Sequence, residues 1–122
     1  MIRVLLTDRD QWVRDTLTAR INTNPNMVVV ATAATAVEAL GHVVELQPDV
    51  VVVDPYLPNC DGSDLCDQIR AIQGDSACVV HATSLDGRVT TDASRGAAAI
   101  VLKSLQTNNL ITTIEQIAKE SN

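Results

Sequence analysis

Short runs of β-branched and aliphatic residues alternate along the chain with segments whose apolar positions recur every three or four residues, and the alternation repeats about five times. The runs predict strands over Arg3 to Thr7, Val28 to Ala33, Val50 to Asp54, Cys78 to Thr83 and Ile100 to Lys103. Val50-Val51-Val52-Val53 shows no polar alternation, as a strand covered on both faces requires, so the third strand is expected at the centre of the sheet. Between the runs, Val13/Leu17/Ile21, Val37/Leu40/Val44, Leu65/Ile69/Ile72 and Leu110/Ile114/Ile117 each make one apolar stripe, the pattern of a helix lying on a sheet. A further helix over Asp86 to Arg95 is weaker: Gly87, Thr90, Thr91 and Ser94 are poor helix formers, and only Val89 and Ala93 mark an inner face, so it is expected to be short and mobile. Turn chemistry at Asn24-Pro25-Asn26, Gln47-Pro48-Asp49, Pro55 to Gly62 and Gly74-Asp75 separates the elements. The predicted fold class is α/β: a doubly wound parallel sheet with helices on both faces.

Composition narrows the function more than the fold. With 122 residues the chain is expected to be one domain, 1–122, with no linker or internal repeat. No apolar run approaches the roughly 20 residues of a membrane span, and the first residues carry no small-residue cleavage site, so the expected location is cytoplasmic. A net charge of −6 has the wrong sign for steering towards nucleic acid or anionic lipid, so neither is an expected partner of this domain. One Trp, one Tyr and no Phe leave little surface for stacking bases, sugars or a flavin ring. Cys60, Cys66 and Cys78 form no C-x-x-C pair and have no His at metal-ligand spacing, so they read as reduced, mostly buried thiols.

In an open parallel sheet, ligands bind beyond the carboxyl ends of the strands where the strand order reverses. That rule selects Asp8, Asp54, Thr83 and Lys103: two carboxylates, a hydroxyl and an ammonium on one rim. Such a set suits phosphoryl transfer to a carboxylate, and neighbouring carboxylates attract a hard cation such as Mg²⁺. There is no Gly-rich phosphate loop and no G-x-S-x-G elbow, and His42, within a helical segment, reads as a surface residue.

Pro48 through Gly62, with Asp54 between the valine run and Pro55, resembles the phospho-acceptor strand and loop of the receiver domain of bacterial two-component response regulators. Arg3 to Asp8 resembles that family's acidic-pocket strand, Ala82-Thr83-Ser84 its switch-threonine segment, and Gly96-Ala97 through Leu102-Lys103 its lysine strand. The resemblance implies a flavodoxin-like (βα)5 sheet of strand order 2-1-3-4-5. It implies a phosphoryl group accepted on Asp54 from a sensor histidine kinase, a phosphotransfer protein or a small phosphodonor. Thr83 and Lys103 would bind the phosphate, and Asp8, Asp54 and the Tyr56 backbone carbonyl would hold Mg²⁺. The result would be a regulatory domain and not an enzyme with turnover, beyond its own phosphorylation and dephosphorylation. It would switch contacts with an effector domain or partner protein, as part of a transcriptional regulator, with homodimerisation left open.

The sequence departs from the family pattern at Arg9, where a second acid normally ligates Mg²⁺, and at Ile100, where the family carries an aromatic switch residue; Lys103-Ser104 replaces the frequent Lys-Pro. Arg9 puts Mg²⁺ binding in question and keeps a second reading open: a pseudo-receiver, the same fold used as an interaction module without metal-dependent phosphorylation. Asp10 reads as a cap of the first helix. A remote third reading takes Asp8-Arg9-Asp10 as the D-x-D motif of a haloacid-dehalogenase-type phosphatase, with Asp8 as nucleophile and Asp10 as acid/base.

Overall fold

The valine run Val50–Val53 forms β3, buried at every residue, in the middle of a five-stranded sheet. The computed structural model describes residues 1–58, 62–83, 97–103 and 108–120. On one side of β3 lie β1 (Ile2–Thr7) and then β2 (Met27–Ala33); on the other lie β4 (Ala77–Ala82) and β5 (Ala99–Leu102). All neighbouring pairs are parallel, in the order β2-β1-β3-β4-β5. The helices are α1 (Gln11–Asn22), α2 (Ala36–Leu46), α3 (Gly62–Ile72) and α4 (Asn108–Glu120). The segment expected to form a weak helix over 86–95 lies outside the described residues, as do Cys60 and Ser104.

Side chains alternate across the sheet, so each strand feeds two cores. Leu5, Val51, Val53, Cys78 and Val80 pack with Ala39 and Val43 of α2 and Leu65, Cys66 and Ile69 of α3. Val4, Leu6, Val50, Val52 and Val79 pack on the other face with Leu17 and Ile21 of α1 and Leu110 and Ile114 of α4. The expected stripes hold for α1 and α4, and for α3 through Leu65 and Ile69, while Ile72 is 46% exposed. Helix α2 differs: Val37 and Val44 are 81% and 62% exposed, and the buried positions are Ala39 and Val43. This helix is apolar almost all round, so spacing alone admits two stripes, and burial of the small Ala39 lets it lie close to the sheet. His42, expected at the surface, is half-buried beside that face.

Chain ends are secured by caps. Asp10 opens α1 by accepting from the backbone N–H of Trp12 and Val13, and Thr35 opens α2 by accepting from Glu38. Helix α2 closes on Gln47 in the left-handed region, φ 50°, ahead of Pro48. The Arg3 guanidinium donates to the Leu46 and Gln47 carbonyls there, satisfying acceptors that the helix leaves open.

Candidate functional site

β1, β3 and β5 each carry a charged residue one step beyond their own ends, and a neighbouring strand holds that step in place. Asp8 N–H donates to the Ala33 carbonyl at 3.0 Å, Asp54 N–H to Thr7 at 2.9 Å and Lys103 N–H to Ala82 at 2.7 Å. Backbone pairing therefore positions these side chains on one rim before they make any contact of their own.

Asp8 and Asp54 are buried, at 4% and 1% exposure, and buried carboxylates require partners. Asp8 Oδ2 meets Lys103 Nζ at 2.8 Å, while its Oδ1 accepts from the Asp10 N–H at 2.9 Å. Asp54 Oδ1 accepts from the Tyr56 N–H at 2.9 Å. Its second oxygen is held more loosely, with Arg9 N–H at 3.4 Å, Arg9 Nε at 3.7 Å and Lys103 Nζ at 3.9 Å. The Arg9 guanidinium also donates to the Tyr56 carbonyl at 3.5 Å and stands 5.8 Å from the centre of the Tyr56 ring, within cation–π range. The site is a small charge cluster in which Asp8 is firmly paired and Asp54 keeps one oxygen in weak contact with two cations.

A model of the response regulator receiver domain matches residues 4–115 of this chain. The chain belongs to that family. The DNA-binding transcriptional activator DevR/DosR of Mycobacterium tuberculosis is 28% identical to this receiver over 118 residues, covering 96% of it and 54% of that protein. The chemotaxis protein CheY of Listeria monocytogenes is 29% identical over 121 residues, covering 98% of this receiver and 100% of CheY. The solved structure of a LuxR-family two-component response regulator from Aurantimonas sp. SI85-9A1 superposes with a TM-score of 0.89 at 31% identity, over 97% of this receiver and 85% of that chain. The receiver spans 54%, 50% and 34% of three curated relatives, so it corresponds to about half of them or less.

Among the residues expected from sequence, the structure brings together Asp8, Arg9, Asp54, Lys103 and the Tyr56 carbonyl. Thr83 follows β4 and is exposed. Ile100 is half-buried on β5 and packs with Tyr56 and Ala97 against the core beneath α2 and α3. Asp10 is engaged as the cap of α1, at 2.9 Å from Trp12 N–H and 3.4 Å from Val13 N–H. With that carboxylate committed to the helix and the family assigned, the phosphatase reading of Asp8 and Asp10 falls away.

His81 is the residue that sequence reasoning missed. Because Val53 pairs with Val80, the next step of the register sets His81 level with Asp54, and Thr83 two positions further out. The imidazole is buried at 5% exposure, and its Nδ1 finds no hydrogen-bond partner among the described residues. Burial, and then the neighbouring Lys103 charge, push its pKa down to about 4, against an opposing pull from Asp8. The available signal was a lone polar residue in the apolar run Cys78-Val79-Val80-His81-Ala82, combined with counting register outward from the valine strand.

Receiver domains of this family typically bind Mg²⁺ in the acidic pocket. The donor set here does not fit a divalent cation. Mg²⁺ needs near-octahedral oxygen ligation, yet Lys103 takes one Asp8 oxygen and the Arg9 guanidinium faces both the Asp54 carboxylate and the Tyr56 carbonyl. Among the described residues no three His, Cys, Asp or Glu side chains are grouped so as to hold a metal.

Proposed function

We propose that residues 1–122 form one phosphorelay receiver domain that takes a phosphoryl group on Asp54 from a sensor histidine kinase, a phosphotransfer protein or a small phosphodonor. The observation that carries this reading is Asp54 itself: a buried carboxylate on the ligand-binding rim, whose Oδ2 is 3.9 Å from the Lys103 ammonium and 3.7 Å from Arg9 Nε. Asp54 Oδ2 would attack phosphorus as the donor's P–N or P–O bond breaks, with the bonding pair leaving on the donor. Asp54 becomes a neutral acyl phosphate at its own oxygen, and the negative charge moves to the phosphoryl oxygens. Lys103 is within reach to follow that charge, and the exposed Thr83 hydroxyl lies on the same rim to donate to it.

The added charge and three acceptor oxygens would then alter the surface presented to an effector domain or partner protein. Similarity to the DNA-binding activator DevR/DosR supports a cytoplasmic transcriptional regulator as the setting of this domain, with DNA contacts made outside it, since its net charge of −6 is the wrong sign for DNA. In this reading the domain is regulatory and has no turnover beyond its own phosphorylation and dephosphorylation.

Incubation with acetyl phosphate and intact-mass analysis test the proposal: one phosphoryl adduct is expected, absent in Asp54→Asn. A second reading, an interaction module working without phosphorylation, is favoured by the Arg9 contact with Asp54. Wild-type protein that forms no adduct with or without Mg²⁺ would exclude small phosphodonors and favour that reading instead.

A further inference from the structure

We propose that Arg9 is the resident cation of this pocket, and that the receiver handles its phosphoryl group without a divalent metal. The inference rests on the phospho-acceptor reading of Asp54, and three observations on this chain carry it.

The first is position. Arg9 faces Asp54 Oδ2 through Nε at 3.7 Å and the Tyr56 carbonyl through Nη1 at 3.5 Å. Asp54 and the Tyr56 carbonyl are two of the groups that would hold a divalent ion in this pocket. The Tyr56 ring steadies the guanidinium at 5.8 Å, and the Arg9 backbone N–H also points to Asp54 Oδ2, at 3.4 Å.

The second is charge. Among the described residues, two carboxylates, Asp8 and Asp54, are ion-paired with two cations, Arg9 and Lys103, so the formal charges of these pairs cancel. A third carboxylate in place of Arg9 would leave the cluster two charges negative, the deficit that a divalent ion corrects. With Arg9 present, an added Mg²⁺ would enter a neutral pocket and face repulsion from both cations.

The third is donor capacity. A guanidinium carries five N–H donors in a planar fork and keeps its charge in proteins. With Nε turned to Asp54 and Nη1 to Tyr56, Arg9 keeps donors that no other described residue takes, and these can meet the oxygens of an incoming phosphoryl group. The Arg9 side chain is 56% exposed, so it can follow the phosphorus as the acyl phosphate forms. When Asp54 Oδ2 bonds to phosphorus and the donor's leaving group departs with its electron pair, Arg9 exchanges a carboxylate contact for a phosphoryl one.

The experiment has two arms. In the first, the thermal midpoint and the fluorescence of the lone Trp12 are followed during Mg²⁺ titration of wild type, Arg9→Asp and Arg9→Gln. Wild type and Arg9→Gln are expected to give no saturable response up to tens of millimolar, whereas Arg9→Asp gains one. Saturable millimolar Mg²⁺ binding by wild type would overturn the proposal whether or not Arg9→Asp folds. In the second arm, the rate of Asp54 adduct formation with acetyl phosphate is compared in chelator and in Mg²⁺. Wild-type rates within about twofold of each other, with Arg9→Gln slower by about tenfold or more in chelator, are expected. An adduct that requires Mg²⁺, or an Arg9→Gln rate equal to wild type in chelator, would overturn the proposal. Failure to form any adduct under either condition refutes phosphorylation of Asp54 by small donors, and with it the phosphoryl role of Arg9 in that reaction; the titration still decides whether Arg9 excludes the metal.

Discussion

Lys103 Nζ lies 2.8 Å from Asp8 Oδ2 and 3.9 Å from Asp54 Oδ2, so the lysine neutralises Asp8 first and leaves the neighbouring carboxylate with its weaker contacts. Replacing Lys103 by Met strands a buried carboxylate. The expected cost is on the order of 2–3 kcal/mol, because removing one partner of a buried pair leaves its charge uncompensated. It stays at the lower end because the Lys103 side chain keeps 17% exposure. Urea unfolding of Lys103→Met and of the double variant with Asp8→Asn measures this. Removing both charges should recover most of the loss, and a double variant no more stable than Lys103→Met would contradict the pairing.

His81 makes stability depend on pH. The unfolded chain takes up a proton on this imidazole below about pH 6.5, while the folded chain resists it until about pH 4. Its contribution is therefore level above pH 6.5, and stability falls as the pH drops from there to about 4. At roughly 1.4 kcal/mol per pKa unit the loss is on the order of 3 kcal/mol at the acid end. Denaturant unfolding of wild type and His81→Gln between pH 4 and 7 should show the difference between their stabilities changing across that window. Parallel profiles would count against the buried neutral imidazole.

Asp10→Ala should destabilise the fold by about 1 kcal/mol, the usual worth of an N-cap. The loss comes from α1, whose Trp12 and Val13 N–H groups Asp10 accepts. Adduct formation on Asp54 should survive, since the Asp10 carboxylate serves the helix. Loss of the adduct in a folded Asp10→Ala protein would place that carboxylate in the site.

Cys66 of α3 and Cys78 of β4 are buried free thiols lying against each other. The hydrogen bond to Cys66 and then burial push the Cys78 thiol above the ordinary range. Neither should be alkylated by iodoacetamide in the folded protein, and both should be modified in urea. Peptide mass mapping checks this, and modification of either under native conditions would reveal local opening between α3 and β4.

Much of the architecture was legible from patterns within single elements. The uninterrupted Val50–Val53 run identified the central strand, and the strand ends identified Asp8, Asp54 and Lys103. Helix α2 was misread because apolar residues surround it, so spacing could not select Ala39 and Val43 over Val37 and Val44. His81 escaped notice because its significance depends on the β3–β4 register, a relation between segments that neither segment encodes alone.

The sequence by itself determined the order of strands and helices, the acid balance and the rim on which the polar residues would gather. Burial of β-branched and periodic residues is written locally, residue by residue. Only the tertiary structure decided which charges meet. Arg9 and Asp54 are 45 positions apart, and whether the guanidinium faces the carboxylate and the Tyr56 carbonyl follows from how β1 and β3 align and where each strand stops. Coulomb energy at these separations changes over a few ångströms, so that alignment turns an arginine beside an acidic motif into the counter-ion of Asp54.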